Sequence, residues 1–161
     1  MNKINQYLEL KEKHQQEFNK FPMGFAFSYE QFKEGMEKLG LTMNDTDKVF
    51  GIFGGGFVRK SDEKAFNEMN KRHRQEEKEA IKNDLTGEGY IKDMFEYELA
   101  NYEYGYTKDL SEILDALGIT INEINNSENL KHGLELALSR YEENEEEEDE
   151  EYDEYDEEED L

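Results

Sequence analysis

The C-terminal end of the chain is a run of acidic side chains that limits how much of the sequence can fold. Residues 142–160 hold 16 Asp or Glu and no Lys or Arg. Charges of one sign at this density repel one another, and the segment offers almost no apolar side chain to bury. We therefore predict a globular domain over residues 1–141 and a disordered acidic tail over residues 142–161.

The tail also carries most of the charge. The formal net charge is −23, of which residues 1–141 contribute only −7. This sign opposes direct binding to nucleic acid or to an anionic membrane. No apolar run approaches the roughly 18 residues of a membrane span. The polar N-terminus has no secretory signal, and the absence of cysteine fits a reducing compartment. We expect a cytoplasmic protein with no membrane association.

The N-terminal half predicts three helices. The first covers residues 3–19 and is broken by Pro22. The second begins at Ser28, which can form a capping box with Gln31. The third runs from residue 62 to about residue 83, and its stretch 70–79 is so polar that we expect it to project into solvent.

One β-hairpin is predicted between the second and third helices. Aromatic and β-branched residues in 49–53 and 57–60 flank Gly54-Gly55-Gly56. A tight hairpin turn is favoured over a phosphate-binding loop, because Phe57 and Val58 stand where that motif needs Lys and Ser/Thr.

The C-terminal third predicts further amphipathic helices. Apolar residues recur at helical spacing from about Tyr90, over 110–117 and over 130–141. Gly40 and Gly118 are predicted helix stops, and Thr120 with Glu123 a capping box. The fold class is therefore α+β, predominantly α-helical, with one short β-hairpin. The predicted core is Phe27, Phe32, Leu39, Ile52, Phe66, Phe95, Leu99, Leu114, Leu117, Leu134 and Leu138.

The histidines do not predict a metal or catalytic site. No two of His14, His73 and His132 have metal-ligand spacing in the sequence. His73 lies in the basic cluster 71–74, which we expect to pair with glutamates of its own helix. We predict no catalytic residue, no metal and no cofactor.

A polar cluster near residue 100 is the one local candidate for chemistry. Glu98, Asn101 and Glu103 lie in one short segment, and Glu98 and Asn101 share a helix face. A carboxylate and an amide there could bind a cation or act as acid and base, which would make a metal-dependent or hydrolytic enzyme. Buried structural hydrogen bonds or plain exposure to solvent is the favoured alternative.

The tail has three competing interpretations. It could only keep the protein soluble, bind a basic protein surface that normally holds nucleic acid, or fold back on its own body. Folding back is the weakest of the three because the body is itself acidic. Ten residues are the predicted partner-binding set: Glu145, Glu146, Glu147, Glu148, Asp149, Glu150, Glu151, Asp153, Glu154 and Asp156.

Several segments carry a resemblance to a known group of proteins. They are residues 25–32, Leu39-Gly40, 54–62, 98–103 and 114–118. Over about residues 4–141 the chain resembles a family of uncharacterised proteins from phages, plasmids and gut-type Firmicutes. The family has no established activity, so the resemblance implies no catalytic residues. It implies a mobile-element setting, in which small acidic proteins often inhibit host nucleases.

Together these features favour a non-enzymatic binding or inhibitory protein of a mobile element. Its expected partner is a basic, nucleic-acid-handling protein engaged partly by acidic mimicry. An enzyme using Glu98, Asn101 and Glu103 is one alternative, and a domain of unrelated duty with a solubilising tail is the other. The oligomeric state is not predicted.

Overall fold

The computed structural model of the chain describes the backbone of residues 3–158 and the side chains of residues 3–143. This described part contains eight α-helices, three short strands and three short 3-10 helices. The helices are α1 (Gln6–Lys20), α2 (Tyr29–Lys38), α3 (Glu63–Asn83), α4 (Tyr90–Asn101), α5 (Tyr104–Thr107), α6 (Ser111–Leu117), α7 (Ile121–Asn125) and α8 (Glu128–Glu158). The strands are β1 (Gly24–Phe25), β2 (Val49–Gly51) and β3 (Gly56–Arg59).

The chain divides into two compact units that are interleaved in sequence. Unit 1 consists of residues 1–11 and 77–161, and unit 2 consists of residues 12–76. The boundaries fall inside α1 and inside α3. No change of composition marks either boundary, so the sequence does not reveal the division.

Unit 2 contains the predicted hairpin and one additional strand. Strands β2 and β3 pair antiparallel with Phe50 opposite Val58, and β1 pairs with the other edge of β3. Gly54 and Gly55 have φ angles of 75° and 76°, a left-handed conformation that favours glycine and closes the turn. The predicted fold class, α+β and predominantly helical, is confirmed, and the hairpin belongs to a three-stranded sheet.

The aromatic ring at the centre of this sheet is Phe57 rather than Phe27. Phe57 is buried, and its ring fills the space that a Cβ atom at Gly24 or Gly35 would occupy, with approaches of 2.4 and 2.6 Å. The prediction that Phe27 lies in the core is wrong, because this side chain is 82% exposed. Side chains alternate around the end of β1, so partly buried Ala26 packs inward and Phe27 faces out.

Unit 1 has a larger core built around α4 and α8. Phe95 and Leu99 of α4 are fully buried, and Leu134 and Ala137 of α8 belong to the same apolar cluster. Other predicted core residues lie at the margins of the clusters, where they are partly buried. These are Leu114, Leu117 and Leu138 in unit 1 and Phe32 and Ile52 in unit 2.

The helix ends follow the predicted chemistry with one variation. Thr120 and Glu123 form the capping box at the start of α7, and Gly118 ends α6 in the left-handed conformation. Ser28 caps α2 by accepting the Gln31 N–H, but the Gln31 side chain accepts from the N–H of Phe27 instead of Ser28. The reciprocal half of that predicted capping box is therefore shifted by one residue.

Helix α8 connects the folded body to the acidic segment. Its buried side chains Leu130, Leu134 and Ala137 anchor its first half in unit 1. Its helical backbone continues to Glu158. The disorder predicted for residues 142–161 stays a prediction, because the side chains from residue 144 onward lie outside the described residues. None of the described helices is both long and apolar enough to cross a membrane.

Candidate functional site

The acidic segment starts directly after Tyr141 of α8. The Tyr141 hydroxyl accepts a hydrogen bond from the backbone N–H of Gly105 at 3.1 Å, and its ring contacts Tyr104 edge-on with the centroids 5.9 Å apart. The acidic residues follow from Glu142 onward. The ten predicted partner-binding residues, from Glu145 to Asp156, have side chains outside the described part of the chain.

The predicted polar site near residue 100 is organised around a buried carboxylate. Glu98 on α4 is 4% exposed. Its Oε1 accepts a 2.7 Å hydrogen bond from the Tyr7 hydroxyl and lies 3.5 Å from Nζ of Lys11. Its Oε2 lies 3.4 Å from the side-chain nitrogen of Asn101. Helix α1 thus supplies a donor and a cation, at positions one turn apart, to a carboxylate of α4.

The same ammonium group also contacts two aromatic rings. Nζ of Lys11 lies 5.1 Å from the ring centroid of Tyr7 and 5.2 Å from that of Tyr97. Burial, and then the hydrogen bond to Glu98, raises the pKa of the Tyr7 hydroxyl well above its ordinary value. The hydroxyl therefore stays protonated and donates to the carboxylate at neutral pH.

In this arrangement the Glu98 carboxylate joins α1 to α4. A buried charge is stable when it is paired and hydrogen-bonded, and Glu98 has both kinds of partner. Glu103 lies beyond the end of α4, in a left-handed conformation with φ of 50° and an exposed side chain. Of the three predicted residues, the structure therefore brings Glu98 and Asn101 together and places Glu103 past the end of the helix.

A second polar cluster lies between α1 and α3 inside unit 2. The rings of His14 and His73 stack with their centroids 3.9 Å apart and their planes 14° from parallel. Nε2 of His14 lies 2.9 Å from a carboxylate oxygen of Glu76, and Nε2 of His73 lies 3.0 Å from one of Glu17. Each histidine is thus held by a carboxylate of the other helix.

Two cations complete this cluster. Arg72 bonds to Glu17 through both terminal nitrogens and to Glu76 at 3.1 Å, and Lys13 lies 3.2 Å from Glu76. Hydrogen bonds from Arg72, and then from His73, lower the pKa of Glu17 to about 2. The hydrogen bond from His14 is the main cause that lowers the pKa of Glu76 to about 2. Both carboxylates are therefore ionised at neutral pH.

This cluster corrects one sequence-based expectation and extends another. The stretch 70–79 does not simply project into solvent, because Arg72, His73 and Glu76 contact α1. Arg72 pairs with Glu76 of its own helix, as predicted. It also bonds to Glu17 of α1, which lies 55 positions earlier in the chain. A repeated pattern could have found it, since His14-x-x-Glu17 and His73-x-x-Glu76 have identical spacing.

The cluster does not have the arrangement of a metal centre. Among the residues that the structure describes, no group of three or more His, Cys, Asp or Glu is placed to hold a metal ion. Nε2 of each imidazole faces a carboxylate that also contacts Arg72, and Glu76 contacts Lys13 as well. The cluster is thus a network of two imidazoles, two carboxylates and two cations.

The chain belongs to the family of unknown function DUF7659, whose model matches residues 6–140. This span contains both the Glu98 network and the histidine cluster and stops before the acidic segment. No curated protein and no solved structure matches the chain significantly.

Proposed function

We propose that this protein is a non-enzymatic binding protein that engages a basic, nucleic-acid-handling protein partly through its acidic segment. The observation that carries the proposal is the density of charge after Tyr141, with 16 carboxylates in residues 142–160. The folded body holds the start of this segment in place through α8.

The spacing of the charges supports a nucleic-acid mimic. In an extended chain the carboxylates would follow one another at about 3–4 Å, close to the roughly 3.4 Å between phosphates of one DNA strand. As a helix, the 14 carboxylates of residues 142–158 would follow at about 1.8 Å along the axis. Duplex DNA carries one charge per about 1.7 Å. Either backbone conformation thus presents a charge density that a phosphate-binding groove accepts.

The charge of the rest of the chain points to a protein partner. Residues 1–141 carry −7, so the body adds to the field of the tail and repels nucleic acid. A basic groove would instead be attracted over a distance of about one Debye length, roughly 8 Å at physiological salt. We therefore propose a basic protein partner and no direct binding of nucleic acid.

The setting that we propose is a mobile genetic element. The resemblance described above implies phages and plasmids, where an acidic inhibitor of a host defence nuclease would be an advantage. In this setting the protein would block the nucleic-acid groove of the nuclease.

The geometry gives less support to an enzyme that uses Glu98, Asn101 and Glu103. A catalytic carboxylate must reach a substrate, and Glu98 is buried and engaged by Tyr7 and Lys11. Glu103 is not part of that network. A tail that only keeps the protein soluble is the alternative that an experiment must separate from mimicry.

Affinity capture from host lysate with three baits provides that experiment. The baits are the full chain, a chain that ends at Tyr141, and a full-length chain in which the Asp and Glu of residues 142–160 are replaced by Asn and Gln. The last bait keeps the length of the chain and the size of each replaced side chain but removes the charge. We expect a basic nucleic-acid-binding protein on the full chain alone. The same protein recovered equally by all three baits would contradict acidic mimicry.

A further inference from the structure

The stacked histidines of unit 2 form a reciprocal contact between two helices. His14 and Glu17 lie on α1, while His73 and Glu76 lie on α3, and each histidine bonds to the glutamate of the opposite helix. The rings are face to face at 3.9 Å, and their side chains are only 10% and 12% exposed. Nothing in the proposed binding function requires this arrangement.

Charged side chains of both helices surround the stacked rings. Lys13 and Glu17 from α1, and Arg72 and Glu76 from α3, contribute two positive and two negative charges. Each proton that the pair takes up adds a positive charge beside Lys13 and Arg72. Glu17 and Glu76 are already ionised, so neither gains negative charge during this change.

We propose that the stacked pair His14–His73 is a proton-sensitive contact, which holds α1 against α3 while it carries at most one proton and weakens when it takes up the second. The first proton can be shared with a carboxylate at hydrogen-bond distance and faces a neutral ring. The second places two like charges one ring-stacking distance apart in a site largely shielded from water. Coulomb repulsion at about 4 Å is several-fold stronger in such a site than in bulk water.

The two protons should therefore be taken up in separate steps that belong to the pair. Two sites that interact strongly show two macroscopic steps, and removal of either site leaves the other with a simple one-step curve. A permanent structural contact without this coupling would show two independent one-step curves. The shape of the titration curves distinguishes the two cases, whatever the pH at their midpoints.

Nuclear magnetic resonance of the ring Cε1–H groups in the full chain, with a chelator present, measures these curves. We expect the His14 and His73 signals to titrate in two steps separated by more than about one pH unit. The variant His73→Phe keeps a flat ring on His14 but cannot take up a proton, so His14 should then titrate in one step. His132 lies in unit 1 with a half-exposed side chain and serves as the internal control.

Amide hydrogen exchange tests the loosening of the contact. After correction for the intrinsic exchange rate, residues 12–20 and 66–76 should exchange faster as the pH falls from about 7 to about 5, the range in which histidine titrates. In His73→Phe this acceleration should disappear, and the conservative variant His73→Gln provides a second test if the first folds poorly. One-step curves for both rings in the wild type, or equal acceleration in the wild type and the variants, would overturn the proposal.

Discussion

At the scale of single residues, the hydrogen bond between Tyr7 and Glu98 supports the core of unit 1. The variant Tyr7→Phe keeps the ring contacts with Tyr90 and Tyr97 but removes the 2.7 Å hydrogen bond to a buried carboxylate. We expect a loss of about 1–3 kcal/mol in the free energy of unfolding, the usual cost of leaving a buried acceptor without its donor.

Urea denaturation measures this loss, and Tyr106→Phe is the matched control because Tyr106 is 90% exposed. That control removes the same hydroxyl from a site where water replaces it, so its free energy of unfolding should hardly change. Equal stability of the Tyr7→Phe and Tyr106→Phe variants would show that Glu98 does not depend on Tyr7.

Gly87 lies at a position where the fold leaves no room for a side chain. Its φ is +84°, and a Cβ atom there would lie 2.1 Å from the backbone oxygen of Asn129. Gly40 has a similar φ of +74° with nothing within 4 Å, so it separates conformational strain from steric overlap. We expect Gly87→Ala to lower the free energy of unfolding by about 1–3 kcal/mol more than Gly40→Ala, the typical cost of overpacking. Similar losses in urea denaturation would mean that α8 can move away at no cost.

At the scale of elements, the contact of α1 with α3 in unit 2 should depend on acid through its carboxyl groups. Glu17 and Glu76 have pKa values of about 2, below the ordinary 4.5 of Glu. A lowered folded-state pKa stabilises the fold above the ordinary value, and this stabilisation is lost as the pH falls towards 2. We expect Glu17→Gln and Glu76→Gln to reduce the acid-dependent loss of stability between about pH 4.5 and 2.

Urea denaturation at a series of pH values tests this expectation, and the quantity compared is the slope of stability with pH. Glu12→Gln on the same helix is the control, because Glu12 is exposed. Its slope should follow that of the wild type. Identical slopes in all three variants would show that the carboxylates of the cluster are not coupled to folding.

Local signals in the sequence predicted the helix ends and the hairpin correctly. Gly118, Thr120 and the glycine turn act through neighbours only a few residues away, so their chemistry is visible in the sequence. The contacts of Tyr7 with Glu98 and of His14 with His73 join residues far apart in the chain, and spacing within one segment cannot reveal them. Phe27 shows a second limit, since an apolar side chain at a strand end can face either way.

At the scale of the whole molecule, the acidic segment should contribute nothing to folding. Among the described side chains of α8, Tyr141 is the last that packs against the apolar cluster, and the like charges of residues 142–160 repel one another. Removal of residues 142–161 should leave the thermal midpoint unchanged or raise it. Removal from Leu138 onward also takes away Tyr141 and should lower the midpoint clearly.

Calorimetry of the two truncated chains measures both effects. A fall above about 5 °C for the shorter deletion, roughly 1–2 kcal/mol for a chain of this size, would show that the acidic segment packs on the body. Unit 1 would then include the tail as a structural element. A segment that is free of such packing remains available for a partner.

The central claim is that this charge competes for a groove that normally holds nucleic acid. The most direct measurement is the dissociation constant of the full chain for its captured partner, at about 50 and 500 mM salt and with added duplex DNA. Acidic mimicry predicts steep weakening with salt, displacement by the DNA, and loss of binding in the chain that ends at Tyr141. Binding that is equal at both salt concentrations, or undiminished without the tail, would contradict the claim and assign recognition to the folded body.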